Sequence, residues 1–117
     1  MMHAAANVLV AIVALFHVWA LVLEMFLWTK PLGRRTFGLT QELAESSKAL
    51  AANQGLYNGF LAAGLMWGLV TGRADVEIFF LCCVIIAGVF GALTAKRSIL
   101  FVQALPGAIA LAAVWLS

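Results

Sequence analysis

Glu24 and His17 are the side chains in this 117-residue chain best able to move a proton inside an apolar setting. Both lie in the run Ala4 to Trp28, whose other strongly polar member is Asn7. An ionisable group in a bilayer costs roughly 2.5 to 3.5 kcal/mol unless it is paired or hydrated, which makes it a functional-site candidate by default. At about 100° per residue, His17, Glu24 and Trp28 fall on one stripe of a helix. In a second apolar segment Glu42, Ser46, Ala49, Asn53 and Tyr57 share a face, flanked by Gln54 and Asn58. Near the C-terminus Lys96 and Gln103 are seven apart and aligned, with Gly107 one turn deeper and Pro106 freeing a backbone carbonyl.

Depth brings these groups together. At about 1.5 Å per residue, Glu24, Asn53, Tyr57, Asn58 and Gln103 lie roughly 4 to 12 Å inside the cytoplasmic ends of their helices, and His17 about 16 Å in. The outer halves are nearly pure Ala, Leu, Val, Ile, Phe and Gly. The expectation is a polar cup open to the cytoplasm above an apolar plug, lined by His17, Glu24, Trp28, Asn53, Gln54, Tyr57, Asn58, Lys96 and Gln103.

Two chemistries suit such a cup. One is binding or transport of a small polar or amphipathic molecule, with Glu24 and His17 as a proton relay of the kind carriers use. The other is a membrane-embedded isomerase or hydrolase acting on a lipophilic substrate. There the catalytic candidates are Glu24 as general base or acid, His17 as its partner, and Tyr57 or Asn53 polarising an oxygen. His17 and Glu24 are about 10 Å apart along the axis, so an acid–base pair needs a residue from another helix. An accessory subunit of a larger complex is a third reading. The plain structural alternative is that the polar groups satisfy one another, with Glu24 pairing with Lys96 or Arg97, at roughly 0.6 kcal/mol per contact.

The elements that must position these residues follow from composition. The chain is 65% hydrophobic and 10% charged, with a mean hydropathy of +1.07, whereas soluble domains are about a quarter charged. Four segments reach the length of a bilayer-spanning helix: 4–28, 50–70, 76–94 and 98–116. The links at 71–75 and 95–97 are short enough to force antiparallel neighbours. The sequence therefore predicts an all-α integral membrane protein, an antiparallel bundle of four transmembrane helices forming one domain over 1–117. The first segment has no Lys or Arg before it and is longer than the apolar core of a signal peptide, so it reads as retained.

Orientation follows from the loops, since Lys and Arg accumulate on the cytoplasmic side. Lys30, Arg34, Arg35, Lys48, Lys96 and Arg97 fall on one face and Arg73 on the other, beside Asp75 and Glu77. Both termini are expected outside, in the inner (plasma) membrane of a bacterium. In the cytoplasmic loop 29–49, Pro31 and Gly33 stop the first helix, and Thr40 caps a second helix running from about Gln41 to Val70. Trp28 and Phe37 suit the interface as aromatic anchors.

Gly55 and Gly59, Gly64, Gly68 and Gly72, and Ala87, Gly91 and Ala95 follow small-xxx-small spacing. This serves close helix packing or, alternatively, a homo-oligomer contact. Cys82 and Cys83 are adjacent on a helix, point apart and read as packed thiols. No cofactor and no metal is expected. His3 and His17 are the only histidines, without HxxxH or HExxH spacing, and a haem held by one axial histidine is a weak reading that a Soret band would test. A net charge of +2, explained by topology, gives no basic patch, so no nucleic-acid partner is expected. The expected partners are the lipid bilayer, an unidentified small molecule and a second copy of the chain.

The runs Leu23-Glu24-Met25-Phe26-Leu27-Trp28-Thr29, Phe37-Gly38-Leu39, the stretch from Ala51 to Gly64 centred on Asn53-Gln54-Gly55-Leu56-Tyr57-Asn58-Gly59, and Ser98-Ile99-Leu100-Phe101-Val102-Gln103 carry a resemblance. The chain resembles the domain of unknown function 1304 family over almost its whole length. The resemblance implies a small multi-pass bacterial membrane protein. It transfers no catalytic role, because the family has no established activity.

Overall fold

A computed structural model describes residues 2–117, which form helices joined by short turns and contain no strand. The helices are α1 (Met2–Met25), α2 (Pro31–Phe37), α3 (Gln41–Thr71), α4 (Ala74–Thr94), a wide π-helical turn (Leu100–Ala104) and α5 (Leu105–Leu116). Two of them are long and apolar enough to cross a bilayer, over His3–Met25 and Ala74–Thr94, and Leu100–Leu116 is a shorter apolar helical run. Among the described residues, α3 is not one of these helices, because Asn53, Gln54, Tyr57 and Asn58 dilute its apolar segment.

Three sequence boundaries need correction. The first helix ends at Met25, not at Trp28. The amides of Phe26 and Leu27 both close on the Val22 carbonyl, at 3.0 and 3.2 Å, and the chain leaves the helix axis there. Pro31 does not merely end α1. It occupies the first turn of α2, where its fixed φ and missing N–H cost nothing. The expected loop 29–49 is therefore largely helical. α2 closes on Gly38, whose φ of 65° lies in the left-handed region that glycine enters freely. The expected start of the next helix agrees with the structure: the Leu43 amide donates to Thr40 Oγ1 at 3.1 Å.

The third correction concerns the last expected span, 98–116, which is not one regular α-helix. Pro106 has no N–H to offer the Val102 carbonyl, and its ring crowds the preceding turn. The chain responds by widening, so that the Leu105 amide bonds to the Leu100 carbonyl five residues back. Regular α-helix resumes at Leu105.

The chain divides into two compact units. One comprises the chain up to Leu15 together with Leu61–Ser117. Its core holds Val10 of α1, Leu65 of α3, Leu81 and Val84 of α4 and Ala110 of α5, all fully buried. Small residues set the approach of α4 to the wide turn: a Cβ on Gly88 would sit 2.6 Å from the Ala104 nitrogen. The other unit is Phe16–Phe60. There α3 lies against the end of α1 through Gly55, which abuts Met25, Glu24 and the Leu21 carbonyl, and Gly59, which abuts Leu21. Gly33 is buried in α2 against the Leu27 carbonyl, in space that a Cβ would fill.

Candidate functional site

Most of the polar residues singled out by the sequence fall in the unit Phe16–Phe60. The buried positions of α3 in this unit, Ala44, Ala51 and Gly55, place its inward face. Asn58 stands beside that face and donates its side-chain amide to the Glu24 carboxylate of α1. Both residues are half-buried. Within its own unit the Glu24 carboxylate is thus held by an amide donor.

The face Glu42, Ser46, Ala49, Asn53 and Tyr57 is a single face, as the spacing predicts, and every one of its residues is exposed. Gln54 is exposed as well. Tyr57 is 56% accessible and packs edge-on against Phe60, with ring centroids 5.6 Å apart. Of the two carboxamides five residues apart in sequence, Asn58 reaches Glu24 and Asn53 points away from the α1 contact.

Trp28 does not extend the helical stripe of His17 and Glu24, because α1 has already ended. It sits in the following turn, where its indole N–H donates to Ser47 Oγ at 3.0 Å. Its ring lies 4.8 Å from that of Phe37. Ser47 was not singled out from the sequence. The signal was its position eleven residues, three helical turns, before Asn58, which puts both on one side of α3. His17 is 1% exposed, with the Phe16 ring edge-on to it at 5.4 Å.

Lys96 and Gln103 belong to the other unit. Lys96 is exposed in the turn after α4, where its backbone amide bonds to the Gly91 carbonyl at 3.1 Å. Gln103 is half-buried in the wide turn. This unit also holds the charged residues Arg73, Asp75 and Glu77. The Arg73 guanidinium pairs with both oxygens of Asp75, at 3.2 and 2.7 Å, and these hydrogen bonds push the proton affinity of Arg73 upward. Glu77, one turn into α4, is 7% exposed against Gly68. Cys82 and Cys83 are unbonded thiols. Among the described residues no group of three or more His, Cys, Asp or Glu is placed to hold a metal ion.

The described residues thus form an all-helical chain with two helices long and apolar enough to cross a bilayer and a half-buried carboxylate held by an amide. The chain belongs to the family described as protein of unknown function (DUF1304), whose model matches residues 11–115. It is similar to the uncharacterized protein YpaA of Lactococcus lactis subsp. lactis (strain IL1403), with 31% identity over 100 residues, covering 82% of this chain and 84% of that one. No solved structure matches it.

Proposed function

We propose that this protein crosses the bacterial inner membrane four times, with both termini outside, and binds a small polar or amphipathic molecule at the Glu24–Asn58 pair from the cytoplasmic side. The observation that carries this reading is the state of Glu24. A carboxylate has about four acceptor positions, and one Asn58 amide fills one of them. Half-burial of a carboxylate with spare acceptor capacity supports a guest that donates hydrogen bonds or carries positive charge. Asn53, Gln54 and Tyr57 add exposed donors and acceptors on the same helix, where hydrocarbon alone would leave them unpaired.

Binding is favoured over acid–base catalysis by Glu24 and His17 as a pair because His17, at 1% exposure, is enclosed by protein, which equally removes it from a proton relay. His17 and Glu24 are also seven residues apart on one helix, about 10 Å along its axis.

Mass spectrometry of the molecule that leaves the membrane with the purified protein tests the reading. The expected result is a polar or amphipathic small molecule that accompanies the natural protein and is lost from Glu24→Gln and Asn58→Leu. The reading fails if nothing accompanies the natural protein and Glu24→Gln is the more stable of the two.

A further inference from the structure

The turn between α3 and α4 holds a second constellation, unrelated to Glu24. An open cavity of about 290 Å³ is lined by Trp67, Asp75, Val76, Phe79 and Phe80. Beside it the Arg73 guanidinium lies 5.8 Å from the centre of the Trp67 ring and is paired with Asp75. The structure thus holds a cation between an indole face and a carboxylate at the edge of the cavity. Cations are attracted both to the ring quadrupole and to the carboxylate. Asp75 is exposed, so its carboxylate is open to an incoming cation that displaces Arg73. Phe79 and Phe80, edge-on to each other at 5.2 Å, continue the lining away from Asp75 as an apolar wall.

We propose that this cavity is a binding site for an organic ammonium ion bearing an apolar group. The charged head would lie against Asp75 and Trp67, in competition with Arg73, and the apolar part along Val76, Phe79 and Phe80. The chemistry is shared by a lipid ammonium headgroup and by a free amphipathic amine. An inorganic cation would lack the apolar group that Val76, Phe79 and Phe80 could bury, and an anion would meet the Asp75 carboxylate.

Benzyltrimethylammonium is a suitable probe, titrated calorimetrically into the full chain in phosphatidylglycerol nanodiscs, which supply no ammonium headgroup. Saturable binding is expected. Asp75→Asn and Trp67→Leu should each weaken it about tenfold or more, and Arg73→Ala should tighten it severalfold by releasing Asp75. Arg73 and Asp75 are both exposed, so their replacement leaves the core untouched. Repeating the titration in phosphatidylcholine nanodiscs separates the two sources. A loss of apparent affinity there identifies the lipid headgroup as the resident ligand, and an unchanged affinity identifies a free amine. Absence of saturable binding overturns the proposal, as does binding that both Asp75→Asn and Trp67→Leu leave unchanged. Sodium competing as well as the organic ion would also overturn it, by removing the aromatic contribution.

Discussion

Asn58 of α3 donates a hydrogen bond to Glu24 of α1 across 34 positions of sequence. The bond joins a half-buried carboxyl group to a neutral donor, so the partner brings no compensating charge. An arginine or lysine at position 58 would supply one, whereas asparagine orients the carboxylate and leaves it anionic when ionised.

Removal of one partner should therefore cost more than removal of both. Asn58→Leu strips the carboxylate of its donor and is expected to lower stability by about 1 to 3 kcal/mol. Adding Glu24→Leu should recover a substantial part of that loss, since both polar groups are then gone. Thermal unfolding of the two variants and the double variant, in one detergent, gives the coupling energy. Additive losses would mean that the bond contributes nothing to the fold.

The buried Gly33 predicts a different failure. A methyl group there collides with the Leu27 carbonyl, a backbone atom that cannot rotate away. Gly33→Ala should cost about 1 to 3 kcal/mol, and limited proteolysis between Trp28 and Thr40 should speed up. Gly38→Ala, which meets open space but must hold a positive φ, is expected to cost only about 1 kcal/mol. Equal sensitivity of the two variants would show that backbone crowding at Gly33 is not the cause.

Neighbouring positions on α4 offer a sharper contrast. Gly88→Ala pushes a Cβ to within 2.6 Å of the Ala104 nitrogen and 2.9 Å of its Cα, and should lower the melting temperature by several degrees. Ala87 is exposed, and Ala87→Leu should change it little. The two melting curves decide the matter, and a tolerated Gly88→Ala would mean that α4 and the wide turn are separable.

The proposed membrane orientation is testable by labelling. With Cys82 and Cys83 replaced by Ala, a single cysteine at Arg35 should react with a membrane-impermeant thiol reagent only from the cytoplasmic side. A cysteine at Arg73 should react only from the opposite side. Reaction of both from the same side would remove the four-span arrangement, because that arrangement puts the two arginines across the bilayer from each other.

Local chemistry was the part most legible in the sequence. Thr40 announced the start of α3, and Gly55 and Gly59 announced close packing, because caps and small residues act over one or two turns. The polar face of α3 was also correctly grouped. What periodicity could not give was the direction that face points, since a period fixes relative angles and leaves the rotation of the whole helix free. The spacing puts Asn53 on the polar face and Asn58 at its flank, and only packing against Leu21 and Met25 brings Asn58 to Glu24. Trp28 was placed on the wrong element for a related reason: hydropathy continues past Met25, while the backbone, already turning toward α2, does not. The burial of Glu77 against Gly68 is not legible in the sequence, because it depends on a neighbour that no local pattern names.

The wide turn at Leu100–Ala104 has a consequence for chain length. A π-turn accommodates one more residue than an α-helical segment at almost no gain in length, so it rotates everything beyond it by about 100° relative to an unbroken helix. Loss of one residue there, together with replacement of Pro106, would restore regular winding and leave Ala110 and Val114 pointing where they do now. The last helical stretch therefore carries a built-in phase adjuster, which absorbs one residue without turning its buried side outward.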